Sequence, residues 1–194
     1  MRTTTLTAVA LAVLAAFAVP VLAAPSPSAG EQPYAGLEQR PIKALSKAAI
    51  DDYLAGRGMS FALAAELNGY PGPRHVLDHA TALALTGSQL RETEALFRTM
   101  QADAVPLGRR IVEAEQALDR LFADEAAEAA AIADVTGRIG VLTGELRAVH
   151  LRTHVTMRAL LTETQVAEYN RLRGYAGPAD APGGHGGHGG GGHL

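Results

Sequence analysis

The amino-acid sequence predicts an all-α protein built on a bent antiparallel helical hairpin, with short helices preceding it. Alanine and leucine dominate, aromatic residues make up 5% and tryptophan is absent, a composition that suits helices better than a β-sandwich. Apolar residues recur every seven positions in two long stretches. At 194 residues, the chain has the length of one domain once its two ends are subtracted.

The first 23 residues are typical of a secretory signal peptide. Arg2 supplies the basic start, residues 6–19 form the apolar stretch, and small residues near position 23 offer a cleavage site. An uncleaved membrane anchor is the alternative, although the apolar stretch is shorter than the roughly 20 residues that span a bilayer. The absence of cysteine, together with this leader, leads us to expect a bacterial periplasmic protein.

The composition on either side of the helical domain indicates disorder. Residues 24–36 form a linker rich in proline and serine, and residues 176–194 form a tail rich in glycine and histidine. Neither segment can bury enough apolar surface to become ordered. The folded domain is therefore predicted to span residues 37–175.

Three short helices are expected at the start of that domain. Ser46 is a suitable N-cap for the first, and Gly56 a suitable stop. The segment "SFALAAELNG" predicts a second helix that ends at Asn68 and Gly69. Pro73 is suited to the first turn of a third.

Two long helices should follow. In the second, Gly137, Gly140 and Gly144 indicate either close backbone approach or curvature, because each lowers helix stability by up to about 1 kcal/mol relative to alanine. Pro106 should bend the first helix because its ring clashes with the preceding turn. The first apolar seam comprises Leu90, Phe97, Ala104, Ile111 and Leu118, with Met100, Leu107, Ala114 and Leu121; the second comprises Ile132, Ile139 and Leu146, with Val135, Leu142 and Val149.

The two seams form either one continuous rod or a hairpin. Asp124 can cap a new helix, and Glu125 and Glu128 would then lie favourably at its N-terminus. No glycine or proline marks the position, which leaves the rod open as an alternative. We favour the hairpin, with reversal at residues 123–125, because two one-sided apolar seams bury each other best as antiparallel neighbours.

A short motif, Leu-Thr-x-x-Gln, occurs twice, as "LTGSQ" and "LTETQ". A threonine followed three residues later by glutamine is a capping box, in which each side chain bonds the backbone of the other residue. The preceding leucine stands where a hydrophobic staple begins. Each copy therefore predicts a helix start, and the two copies comprise Leu85, Thr86 and Gln89, and Leu161, Thr162 and Gln165.

Histidines supply the candidate metal ligands. His75 and His79 form one pair spaced by four residues, and His150 and His154 form another, so each pair can share a helix face. Reversal at residues 123–125 places residue i opposite roughly 248 − i, which puts Glu94 beside His154. A carboxylate and two imidazoles then make a plausible site for divalent zinc, nickel or cobalt. The alternative is that these polar residues merely line the rim of a helical bundle. The further candidate ligands are Met157 and, in the tail, His185, His188 and His193.

Several classes of function lack their sequence signals. Neither histidine pair has the HExxH pattern of zinc peptidases, and no Gly-x-Ser-x-Gly elbow or phosphate-binding loop occurs. We therefore do not expect an enzyme. The formal charge of −3 is too weak to indicate a nucleic-acid partner.

Two LTxxQ segments in an exported helical chain resemble the Spy/CpxP family of periplasmic chaperones and heavy-metal sensors or resistance proteins, in particular its CnrX/ZraP-like branch. The resemblance covers roughly residues 34–175 and includes "LAGRGMSFALAAELNGYPGPRHVLDHA" and "ALLTETQVAEYNRLRGY". It implies a homodimer of bent hairpins with a concave face. It also implies metal ligands at His75, His79, Glu94 and His150, with His154 standing where a softer ligand is expected.

Three functional hypotheses follow. The first is a metal sensor or buffer that reports to an envelope-stress signalling partner. The second is an ATP-independent chaperone that holds unfolded periplasmic proteins on a concave surface studded with arginines. The third is a structural dimer with incidental histidines. The arginines proposed to contact clients are Arg109, Arg110, Arg138 and Arg147.

Overall fold

A computed structural model describes residues 33–175, of which those from Gly36 onward belong to one folded unit. The predicted signal peptide, most of the linker and the glycine/histidine tail lie outside the described residues. All regular structure within the described part is helical, and no helix there is both long and apolar enough to cross a membrane. The elements are a 3-10 turn (Leu37–Gln39) and the helices α1 (Lys47–Leu54), α2 (Leu63–Glu66), α3 (Pro73–Asp78), α4 (Gly87–Ala123), α5 (Ala129–Leu160) and α6 (Glu163–Leu172).

The short helices lie where the sequence predicts, although α2 comprises only Leu63–Glu66 and ends before Asn68. The Ser46 hydroxyl accepts a hydrogen bond from the Ala49 amide, which caps α1. Gly56 and Gly69 adopt left-handed backbone angles, with φ of +62° and +80°, in the chain that follows α1 and α2. Pro73 is the first residue of α3, where its missing N–H has no helical partner to lose.

The long helices form a hairpin, which excludes the single rod. α4 and α5 pack against each other along their length, and the chain reverses between Asp124 and Glu128. The predicted capping role of Asp124 is wrong. Asp124 ends α4, Glu125 takes a positive φ of 54°, and the N-cap position of α5 is occupied by Glu128. α4 runs on through Pro106, and the bend expected there stays a prediction.

The apolar seams meet inside the hairpin and form its core. Burial is greatest midway along the helices, whereas Leu90 keeps 36% of its surface exposed. Packing of α4 onto α5 removes this apolar area from water, which is the main stabilising term of such a bundle. The buried seam residues are Met100, Ala104, Ile111, Ala114, Leu142, Leu146 and Val149.

Close backbone approach occurs at a glycine that the sequence analysis did not single out. A Cβ on Gly108 of α4 would lie 2.1 Å from the carbonyl oxygen of Tyr53 in α1, so only glycine admits α1 at this distance. A Cβ on Gly137, Gly140 or Gly144 would meet nothing within 4 Å. Of the two roles left open for those three glycines, close approach is therefore ruled out within this unit.

Both LTxxQ segments form complete capping boxes, as predicted, and they also bind each other. The Gln89 amide nitrogen donates to Gln165 Oε1 at 2.9 Å, and the Gln165 amide nitrogen donates to Gln89 Oε1 at 3.0 Å. The two nitrogens donate further to the carbonyls of Leu160 and Leu83, at 2.9 and 3.2 Å. We call Thr86, Gln89, Thr162 and Gln165 the capping junction. The junction fastens the start of α4 to the start of α6.

Candidate functional site

A buried carboxylate, Glu66, lies at the C-terminal end of α2 with only 6% of its surface exposed. Its Oε1 accepts hydrogen bonds from the hydroxyls of Tyr169, at 2.5 Å, and Tyr175, at 3.3 Å. Arg173 Nε lies 3.5 Å from the same oxygen. Its Oε2 accepts from the backbone amide of Gly72 at 3.2 Å. Residues at the C-terminal end of the domain therefore hold one oxygen, while the other faces the loop before α3.

His154 of α5 approaches the second oxygen of Glu66. Its Nδ1 lies 2.7 Å from the Tyr70 carbonyl oxygen and 3.7 Å from Glu66 Oε2. Because a carbonyl can only accept, Nδ1 donates to it, and a ring with this single proton presents a free lone pair at Nε2. In this tautomer Nε2 can bind a metal.

The ring of His154 packs closely against the backbone of Gly72, beside the carboxylate of Glu66. A Cβ built on Gly72 would lie 2.9 Å from His154 Nε2 and 3.6 Å from Glu66 Oε2. The φ of Gly72 is −88°, which any residue adopts. Space, rather than backbone conformation, is therefore what glycine provides here.

His150 lies one turn before His154 and is almost fully buried, with 2% exposed. Its ring stacks on Phe61 with the centroids 6.2 Å apart. Its Nε2 is buried and has no hydrogen-bond partner. Burial, and secondarily the nearby His154, lower the pKa of His150, so the ring is neutral at pH 7 and carries an unused polar atom.

Of the other predicted pair, only His75 lines the cavity beside Glu66. His75 Nδ1 lies 3.4 Å from both Glu66 Oε1 and the Tyr169 hydroxyl. Burial, followed by Arg173, lowers the pKa of His75 against the opposing effect of Glu66. His79 is the C-cap of α3, and its amide donates to the His75 carbonyl at 3.1 Å, so the two residues lie one turn apart as predicted.

One cavity of about 610 Å³ is lined by all five of the residues Glu66, Gly72, His75, His150 and His154. Within residues 33–175, no three histidine, aspartate or glutamate side chains are arranged to hold a metal ion as they stand. The cavity instead offers two neighbouring imidazoles on one helix, with a carboxylate and a third imidazole across from them. We call Glu66, Gly72, His75, His150 and His154 the histidine centre.

Glu94 does not join this centre. Its side chain is 47% exposed and lies 3.9 Å from Arg98 on the same helix. The predicted register is nearly correct, because the Gln89–Leu160 hydrogen bond pairs residues that sum to 249, against the expected 248. The prediction was wrong about which side of α4 faces inward. Thr93, not Glu94, is buried in this turn, and adjacent residues point about 100° apart on a helix.

The remaining predicted residues lie away from the centre or outside the described part. Met157 is fully buried in an apolar cluster with Val76 and Tyr169, where its thioether packs instead of facing the cavity. The tail histidines His185, His188 and His193 lie outside the described residues. The four arginines proposed for client binding are all exposed: Arg109, Arg110, Arg138 and Arg147.

Sequence reasoning missed the carboxylate at the middle of the centre. Glu66 is the sole charged residue between Arg57 and Arg74 and lies in an otherwise apolar helix segment, which was a usable signal of a buried functional acid. Its partners Tyr169 and Arg173 follow the second LTxxQ segment by a few residues. No local sequence pattern indicates that they contact Glu66, because the fold alone brings them together.

Comparison of the chain with family models, with curated proteins and with solved structures found no match. The resemblance to the Spy/CpxP family therefore rests on the motifs quoted above, and membership stays a prediction.

Proposed function

We propose that this chain is an exported, periplasmic metal-binding protein of the Spy/CpxP type, which senses or buffers a late-transition divalent ion such as Zn²⁺, Ni²⁺ or Co²⁺. The histidine centre is the proposed site. The observation that carries the proposal is that His150 Nε2 has no hydrogen-bond partner although only 2% of the residue surface is exposed. A buried polar atom without a partner costs about 1–3 kcal/mol, and a metal ion is a ligand that would offset that loss.

The residues present fit such an ion. His150 and His154 offer imidazole nitrogens from adjacent turns of α5, the ligand type that suits zinc, copper and nickel. The absence of a side chain at Gly72 lets the ring of His154 pack beside Glu66, since a Cβ there would lie 2.9 Å from Nε2. The Tyr70 carbonyl fixes the ring of His154 through Nδ1, as outer-shell partners of metal-bound histidines commonly do. Glu66 supplies the nearest carboxylate.

Binding would link separate parts of the fold. The two imidazoles belong to α5, whereas Glu66 ends α2 and His75 lies in α3. An ion that recruits ligands from both sides favours the arrangement in which these helices are closest, and so shifts the population of conformers. That shift is how the protein would report the ion to a signalling partner.

Titration calorimetry tests the proposal. The full chain is used with His185, His188 and His193 replaced by glutamine, so that the tail cannot bind the ion. We expect saturable binding of one ion per chain and a loss of at least about tenfold in affinity for His150→Ala. Binding that disappears with the tail substitutions alone would assign the ion to the tail and refute the core site.

Gly72→Ala provides the sharper variant. Its added methyl group would clash with the ring of His154 and displace that imidazole without removing it, so we expect it to abolish binding. Gly87→Ala is the matched control, since its Cβ would meet only the flexible end of Arg91 at 3.5 Å. Equal affinities of the two variants would contradict the use of His154 as a ligand.

A client-holding chaperone is the second candidate, and exposed apolar side chains favour it. Phe122, Val141 and Val155 are 60%, 63% and 58% exposed on the two long helices, and such surface can contact an unfolded chain. Light scattering of reduced α-lactalbumin checks this. Suppressed aggregation without metal, unchanged by His150→Ala but reduced by Val141→Glu, would support the chaperone.

A further inference from the structure

We propose that the histidine centre takes up its ion together with a small organic chelator that bears a carboxylate, as amino acids and hydroxy acids do. This inference rests on the proposed function and names the ligand class of the same site. In it, the protein supplies part of the coordination shell, the chelator supplies the rest, and the body of the chelator occupies the cavity.

The number of protein ligands is the first argument. The described residues 33–175 hold no ready-made group of three metal-binding side chains, and the atoms without other duties are the Nε2 nitrogens of His150 and His154. A zinc ion requires four ligands and leaves a position open in sites where it binds exogenous groups. Two imidazoles, with Glu66 as a third ligand, therefore leave at least one position for another molecule.

The size of the cavity is the second argument. Its volume of about 610 Å³ is many times the roughly 30 Å³ that one water molecule occupies in the liquid. It falls within the roughly 300–1,000 Å³ of small-molecule sites. Phe97, Met100 and Leu63 contribute apolar wall beside the polar centre. An ion with its water shell would leave most of this wall uncovered, whereas an organic ligand would cover it.

The charge of the wall is the third argument. Arg57, Arg74 and Arg173 line the cavity, and each lies beside one carboxylate, that of Asp52, Asp78 and Glu66 respectively. Because these charges are balanced, a divalent cation held by imidazoles would bring uncompensated positive charge into the cavity. A carboxylate on the incoming ligand reduces that charge and can accept hydrogen bonds from a guanidinium. The cavity thus favours an anionic chelator over a neutral or cationic one.

Equilibrium dialysis tests the inference on the full chain with its three tail histidines replaced by glutamine. The probes are radiolabelled L-histidine in one arm and radiolabelled citrate in the other, each with and without Ni²⁺. We expect at least one label to be retained at about one molecule per chain, only when Ni²⁺ is present. That retention should be lost in His150→Ala.

The outcomes separate this inference from the proposed function. If Ni²⁺ binds alone and both chelators strip it without being retained, the inference fails and the proposed function stands. Retention of label without Ni²⁺ also overturns the inference, because the ion would then play no part. If Ni²⁺ binds under no condition, both fail.

A cavity-filling variant checks where the chelator lies. Gln101 lines the cavity from α4, so Gln101→Trp should weaken retention of the label by about tenfold while Ni²⁺ alone binds as before. Gln116→Trp is the control, because Gln116 is exposed further along the same helix. Equal retention in both variants would contradict a chelator in this cavity.

Discussion

The capping junction and the histidine centre are both polar clusters that tie the end of the chain to earlier helices, yet they differ in how fully their atoms are paired. In the junction, every side-chain amide atom of Gln89 and Gln165 has a hydrogen-bond partner. In the centre, the buried Nε2 of His150 has none.

This difference separates a structural cluster from a functional one. A fully paired network stabilises one arrangement, because each lost partner leaves a polar group to be compensated. A network with an unpaired polar atom lowers stability, and proteins retain such a network where the unpaired atom binds a ligand. Substitution of a paired group should therefore lower stability, whereas substitution of the unpartnered His150 should raise it.

The largest effect is expected in the junction. Gln89→Leu removes two bonds that the side-chain amide donates and two that its oxygen accepts. At roughly 0.5–1.5 kcal/mol each, their loss should lower the free energy of unfolding by about 3 kcal/mol. Urea denaturation followed by circular dichroism measures the change.

A double-mutant cycle with Gln165→Leu is the control for this prediction. Since the two glutamines bond each other directly, the double variant should be less destabilised than the sum of the single ones, with a coupling of about 1 kcal/mol. Strict additivity would mean that the two LTxxQ segments cap their own helices and do not support each other.

An intermediate effect is expected for the carboxylate of the centre. Glu66→Gln keeps the shape but removes the negative charge beside Arg173 and His75, so it should destabilise the metal-free protein by about 2 kcal/mol and weaken metal binding. Glu94→Gln is the matched control. Because Glu94 is exposed and pairs with Arg98, its removal should change stability by less than about 0.5 kcal/mol. Calorimetric titration and urea denaturation of both variants decide which carboxylate belongs to the site.

The fold was largely predictable because its signals are local. Ser46, Pro73 and the two capping boxes mark helix starts through contacts within four residues. The seven-residue apolar repeat then predicts that two long helices pack together. The turn was harder to place, since Glu125 adopts a left-handed conformation without the glycine that usually marks one.

The centre was only half predictable because it depends on rotation and on distant contacts. The spacing of His150 and His154 correctly indicated one helix face. Glu94 is exposed, and the residues of α4 that line the cavity are Phe97, Met100 and Gln101; antiparallel register alone carries no information on that rotation. Glu66 meets Tyr169 across 103 residues of chain. No pattern within either segment encodes that contact.

The smallest change in the free energy of unfolding is expected for His150, and it is an increase where the other substitutions cause a decrease. His150→Leu replaces a buried ring whose Nε2 lacks a hydrogen bond with an apolar side chain that can pack on Phe61. We expect it to raise the free energy of unfolding of the metal-free protein by about 1 kcal/mol, measured in urea with EDTA present. Metal binding should be lost in the same variant, as happens where function is maintained at the expense of stability.

The pH dependence distinguishes this explanation from a general gain in packing. The folded state lowers the pKa of His150 below the roughly 6.5 of an unfolded histidine, so below that pH the unfolded chain binds the proton first. Stability should be full above about pH 7 and should fall on acidification, by at most about 1.4 kcal/mol per pH unit for this residue. His75, whose pKa is also lowered, titrates in both proteins, so the difference between wild type and His150→Leu isolates His150. Parallel pH profiles would show that the buried imidazole is not what the substitution relieves.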